Sequence, residues 1–463
     1  MKTIYRKTFI IFFLCFNFSL LNAQDILIKG GYYFDEKTGT MIKNSGILVV
    51  SGKIASVNDN SDKPVVNILQ LNDFDYILPG IIDMHAHFKV HIDGREKEDT
   101  TSLPKIYLAN GVTSTFTAGE LEPMKILALK GQINSGERIG PRIFNTGPYF
   151  GKDANSINKS WHQNMSEDEI ISLINLWVSR GIDGIKVKGV TKAQLKIIIE
   201  KAHTHGLTVT GHLDSGFGET VSTVEAIELG IDRVEHFLGG EIIPDSIGAY
   251  QALSTANAWD KRLDPIINTY IARHIYYSPT ISAYGMVGGS TDLALKDWID
   301  QRKFFTDYAK SIIARQSKRL PFNITLSKIY EFKKVEIKRF YDAGGKDLIV
   351  LGTDRQLRNG DIGGFAVHKE MQVLSASGIS NADVIRIASI NGAKALGKSD
   401  YLGSIEIGKW ADLYIITGNP LDDISTTNTV HTVIKAGKVY STNKLLNSVL
   451  SKLGPINNAD WKD

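Results

Sequence analysis

The feature that most narrows the fold is a rhythm through the middle of the chain: helix, glycine, short apolar strand. Gly111 leads into 112–116, Gly140 into 141–144, Gly181 into 182–187, Gly206 into 207–210 and Gly230 into 231–234. Residues 275–278 follow, then 348–351 after Gly344-Gly345. Ile81-Ile82, fed by the turn Pro79-Gly80, supplies one more, making eight strands. The intervening stretches carry helical spacing. Between 191 and 205, Leu195, Ile198, Ile199 and Ala202 recur at i, i+3, i+4 and i+7. Each glycine stands where a helix ends in a left-handed cap. Alternating strands and helices predict an α/β fold with a parallel sheet, here a (β/α)8 TIM barrel over 77–399.

The ends of the chain read differently. Short strands at 26–28, 46–50 and 53–57 are separated by Gly, Asn and Ser turns, and 403–406, 412–416 and 432–436 have the same character. A small β-sandwich domain built from 24–76 and 400–463 is the expectation. Residues 285–324 break the rhythm as an insertion after the seventh strand. It reads either as a solvated surface helix or as a lid over the barrel's active face.

Formal net charge is +3, and Lys2, Arg6 and Lys7 account for it, so no nucleic-acid partner is indicated. Those cations precede an apolar run from Phe9 to Leu21 and the small-residue site at Ala23. Residues 1–23 therefore read as a signal peptide, and the mature protein as periplasmic or secreted with no membrane partner. The run is shorter than the roughly 20 residues a spanning helix needs. Cleavage would remove Cys15, the one cysteine, leaving neither disulfide nor thiol chemistry.

Chemistry-bearing residues gather at the strand ends. His85 and His87 stand at i, i+2, so both imidazoles point to one face of a strand. The fourth strand ends in Lys186 with Lys188 two residues on, the fifth in Gly211-His212, the sixth in Glu235-His236 and the eighth in Gly352-Thr353-Asp354. In a barrel these ends share one mouth. Four histidines, a lysine and an aspartate gathered there can hold two metal ions, and nitrogen and oxygen donors suit zinc.

With its Pro-Gly-Ile-Ile-Asp-Met-His-Ala-His opening, single histidines after strands five and six and a late Gly-Thr-Asp, the chain resembles the amidohydrolase superfamily. It is most similar to the imidazolonepropionase-like and prolidase-like branch. The tail Asn391-Gly392-Ala393-Lys394-Ala395-Leu396-Gly397, then 403–413, is similar to that family's return into its sandwich. The resemblance implies a metal-dependent hydrolase. His85, His87 and Asp354 would hold one ion and His212 and His236 the second. Lys186, as a carbamate, would bridge them, with Lys188 the competing candidate. Asp354 would also be the catalytic proton carrier for a metal-bridging hydroxide. If Lys186 is not carbamylated, one ion is implied. His203 and His205 read as helix-packing residues.

The resemblance implies substrate contacts after strands three, seven and eight, which nominates Tyr149, His162, Tyr284 and Arg355. The stretch Gly147-Pro148-Tyr149-Phe150 lacks a glycine-histidine run that relatives often carry, and 187–190 passes directly into a helix. The resulting expectation is hydrolysis of a C–N amide bond in a small molecule, a dipeptide or N-acyl amino acid. The alternative is a one-metal hydrolase or deaminase acting on a cyclic amidine or imidazolone. A barrel kept as a binding scaffold predicts missing ligands, and none is missing. Homo-oligomer formation is left open.

Overall fold

A computed structural model describes residues 25–58, 67–151, 161–162, 164–213, 220–238, 242, 248–317, 323–355 and 362–461. The expected signal peptide, 1–23, lies outside the described residues. Among those described, no helix is long and apolar enough to cross a membrane.

The fold is mixed α/β. Two sheets are built from the ends of the chain. In one, Ile26–Lys29 sits between Ile47–Val50 and Asn67–Gln70, with Lys53–Val57 outside. The other runs Lys438–Ser441, Val430–Lys435, Leu413–Thr417, Asp75–Pro79, Tyr32–Asp35, Thr40–Lys43. The two ends of the chain meet in this second sheet, where Leu413–Thr417 pairs antiparallel with Asp75–Pro79 and Ile415 opposes Ile77. Ile28, Val49, Ile77, Leu413 and Ile415 form one apolar cluster shared by both sheets. Ile415 is fully buried. Ile415→Ala, which deletes three carbons from that cluster, is expected to cost about 2–5 kcal/mol of stability. A lower urea midpoint at unchanged slope would show it.

Two expected strands differ. Residues 403–406 form no strand: the chain bends at 403–404 and is irregular at 405–406. Gly403 takes φ +91° and presses against the helix Ile390–Ala395, where a Cβ would lie 2.8 Å from that of Ala393. Of 348–351, Leu348 ends a 3-10 turn, and Ile349 makes a single parallel bridge to Tyr277. The chain beyond Ser441 leaves the sheet, and Leu445, Val449 and Leu453 join the larger core.

In sequence, between the segments that build these sheets, come the parallel strands Ile81–Ala86, Val112–Thr117, Arg142–Phe144, Gly184–Lys188, Thr208–His212, Arg233–Glu235 and Tyr276–Ser278. The first three form one sheet, and the last four form another with Tyr149–Phe150. Asp183 N donates to Asn145 O at 2.7 Å between the third and fourth. Val350 N donates to Tyr277 O at 3.0 Å, and Met84 N to Leu351 O at 2.8 Å. Helix starts are set locally. Ser166 with Glu169, Thr191 with Gln194 and Ser222 with Glu225 are capping boxes. Gly230, at φ +95°, ends its helix as expected. Gly140 does not: its φ is ordinary, and it is required because a Cβ would strike Ile133 and Pro104.

Candidate metal centre

Strand register places the site. Lys188 pairs with His212, His212 with Glu235, and Glu235 with Ser278, one row at the C-terminal ends of four neighbouring strands. His236 follows that row. From the other side, His85 stands next to last in the first parallel strand and His87 just past its end, and Asp354 N donates to His85 O at 3.0 Å. Asp83 ties these pieces together. Its carboxylate accepts from His85 N at 3.0 Å and from Thr353 N and Oγ1 at 3.1 and 2.7 Å.

The side chains then converge. Asp354 Oδ1 lies 3.3 Å from His85 Nε2 and 3.2 Å from His87 Nε2, and its Oδ2 is 3.9 Å from His236 Nε2. Ring centroids of His85 and His236 are 4.7 Å apart, and those of His212 and His236 4.5 Å. The donor atoms of His85, His236 and Asp354 all lie within 4.8 Å of one another. Residues separated by up to 269 positions in sequence therefore face one point.

These residues fit a divalent cation. Burial pulls the imidazole pKa of His85 to about 4 and of His87 to about 3, and holds His212 and His236 well below the usual value. The rings are neutral near pH 7, the form that ligates metal. Burial opposes ionisation of Asp354, yet contact with His85 and His87 keeps its carboxyl well below the usual range. A neutral imidazole has one N–H to give. His85 faces a carboxylate on each side: Glu235 Oε2 at 2.7 Å from Nδ1, and Asp354 at Nε2. With the proton on Nδ1, a lone pair and an anion face each other at 3.3 Å. A cation between them resolves the repulsion.

Lys186 is buried behind the histidines, and its Nζ contacts Glu235 Oε2. Burial pushes the amine well below its usual pKa, with Arg233 and Lys188 adding to the effect and Asp354 opposing it. Glu235 is fully buried and anchored on its other oxygen by Thr210 Oγ1 at 2.7 Å and Arg233 at 3.3 Å.

A cavity of about 210 Å³ opens over this group. Lys186, Lys188, Tyr149, Tyr284 and Arg355 line it with three of the histidines and Asp354. Lys188 sits 5.7 Å over the Tyr149 ring. His162 is not brought there. It is 59% exposed, lies 3.8 Å from Glu169 at the start of the helix Glu167–Ser179, and is absent from the cavity wall. His203 and His205 also lie elsewhere, exposed beside Asp232 and Asn175. The segment 285–324 contributes through a helix, Ile281–Gly288, that begins before it and packs on Ile324–Asp342. Val287 and Leu326 give the cavity an apolar side. Part of the segment, 318–322, lies outside the described residues.

Several contributors escaped sequence reasoning. Thr280 Oγ1 lies 2.7 Å from His236 Nδ1, and nothing in its local sequence marks it. Glu235 was visible only as the neighbour of His236. His91 and Glu96, bonded at 2.9 Å across the hairpin that follows His87, also line the cavity.

A family model described as "Amidohydrolase family" matches residues 76–440. The chain belongs to the amidohydrolase family. Membership of the amidohydrolases brings with it the class of hydrolases acting on carbon–nitrogen bonds. A solved Xaa-Pro dipeptidase with methionine bound in its active site is similar in fold, with TM-score 0.66 and 22% identity over 90% of this chain and 100% of that one. Molinate hydrolase is similarly placed, with TM-score 0.66 and 19% identity over 94% and 98%. A 5-methylthioadenosine/S-adenosylhomocysteine deaminase from Teredinibacter turnerae is 40% identical over 83 residues, 16% of this chain. That match spans only 18% of the deaminase.

Proposed function

We propose that this amidohydrolase is an exported, two-metal enzyme that cleaves the C–N bond of a small dipeptide or N-acyl amino acid. The observation that carries the reading is the meeting of His85, His236 and Asp354 at one point, with His87 beside Asp354, His212 beside His236 and Lys186 buried close by. Its scaffold is read as a closed (β/α)8 barrel. The hydrogen bonds that join 349–351 to strands on both sides support this, as does the likeness to the dipeptidase fold. The sandwich reading of the end sheets rests on their shared cluster.

His85, His87 and Asp354 would hold one ion, His212 and His236 the other, with Lys186 between them as a carbamate. Divalent ions bound there supply an acidified water and polarise a carbonyl oxygen. Asp354 takes the proton of the attacking water as the new C–O bond forms, and delivers it to the nitrogen as the C–N bond breaks. Asp354 is one-quarter exposed and borders the cavity, so a substrate can reach it. Arg355 and Lys188 place positive charge at the wall, suited to a substrate carboxylate. Val287 and Leu326 suit its apolar part. Arg355→Met should raise KM for substrates with a free carboxylate about tenfold to a hundredfold at little cost in kcat. Carboxamide-capped analogues, compared by steady-state kinetics, should be indifferent.

The direct test is a panel of dipeptides and N-acyl amino acids offered to the metal-loaded protein. Absence of turnover on every amide would overturn the reading. A second reading, a one-metal hydrolase or deaminase of a cyclic amidine, is favoured by the contact of Lys186 with Glu235. An ammonium paired to that carboxylate is not available to carbon dioxide. Metal content separates them: about two ions per chain for the first, one for the second. Export is tested by the N-terminus of protein recovered from the producing cell's periplasm or medium.

A further inference from the structure

Among the described residues, a buried ion pair takes no part in the proposed chemistry. Lys333 and Glu336 stand on the helix Ile324–Asp342, both fully buried, 3.9 Å apart. Burying two charges is costly unless their remaining hydrogen bonds are well used. Lys333 Nζ donates to the backbone oxygen of His236, and to Tyr277 Oη at 2.8 Å. Tyr277 in turn donates to Glu336 Oε1 at 2.6 Å and lies 3.1 Å from the same His236 oxygen.

The backbone held this way is strained. His236 has φ +68°, and Thr280, whose hydroxyl meets His236 Nδ1, has φ +49°. Such conformations in residues other than glycine persist where the surroundings over-determine them. Glu370 completes the clamp by accepting from Ile281 N at 2.8 Å and Ser282 N at 2.7 Å, directly after Thr280. Lys333 Nζ also lies 5.4 Å over the ring of Tyr284, which lines the cavity.

We propose that Lys333 is a positioning residue, a buried cation that holds the left-handed backbone of His236 so that its ring faces Asp354. It touches neither substrate nor reacting atoms. The inference rests on the reading of His236 as a metal ligand. It adds that the helix Ile324–Asp342 sets both a ligand and the cavity wall through one ammonium group.

The test uses full-length protein reconstituted with Co2+, whose visible absorption reports ligand geometry independently of turnover. Lys333→Met combined with Glu336→Gln removes both charges and leaves neither buried alone. Thr280→Val removes the second support and keeps the ion pair. Both variants are expected to show wild-type far-UV circular dichroism, an altered Co2+ spectrum and at least tenfold weaker Co2+ retention on dialysis. A folded double variant with wild-type spectrum and retention would overturn the proposal. If the double variant does not fold, Lys333→Gln, which keeps a hydrogen-bond donor and removes the cation, decides by the same two readouts. Wild-type protein that binds no Co2+ would sink the metal reading itself, an outcome distinct from unaltered variants.

Discussion

Asp354→Asn is expected to lower kcat/KM by about a thousandfold or more, equivalent to roughly 4 kcal/mol of transition-state stabilisation. The substitution preserves shape, so a loss of this size reports chemistry. Asp354 is the carboxylate that lies within 3.3 Å of both His85 and His87 and within 3.9 Å of His236. An amide in its place carries no charge to balance a cation and accepts no proton from water. Both roles fail together. Positioned proton transfer alone contributes about 10²–10⁴-fold. Steady-state kinetics with metal analysis on the same sample would check it. A variant within tenfold of wild type, with unchanged metal content, would remove Asp354 from the mechanism.

Lys186→Met is expected to drop the ion count from about two per chain to one and to lower kcat about a hundredfold or more. The argument starts from burial. An exposed lysine ammonium has no lone pair, and it repels cations. Lys186 is 1% exposed, and burial favours its neutral amine, the form that attacks carbon dioxide and becomes an anionic oxygen ligand. The carbamate would lie beside four imidazoles, none of which supplies negative charge. Methionine keeps the length and apolar stem and removes the donor. Elemental analysis counts the ions, and a 13C signal from protein loaded in labelled bicarbonate reports the carbamate. A wild-type protein with one ion and no labelled carbon would favour the Lys186–Glu235 ion pair and the one-metal reading.

The candidate histidines were legible in sequence because each stands at or just past the end of an apolar strand, and strands impose period two. His85 and His87 had to share a face for that reason. Register carries His212 into one row with Glu235, and His236 stands one residue past that row. The reading failed where local pattern and tertiary contact parted. Residues 403–406 look like a strand, but Gly403 is bent to fit against the helix Ile390–Ala395. His162 has the right chemistry and the right place after the third strand, yet it turns to the start of a surface helix beside Glu169.

By itself, then, the order of residues determined the alternation of strand and helix, the pairing of the two chain ends, and which imidazoles end on which strand. Those follow from periodicity and from turn and cap residues, which act over a few positions. Only the tertiary structure decided what stands behind the ligands. Glu235 behind His85, Thr280 behind His236 and Lys333 beneath its carbonyl come from segments tens to hundreds of residues apart. A buried polar group takes whichever partner packing brings within hydrogen-bond reach, and no local pattern encodes that partner.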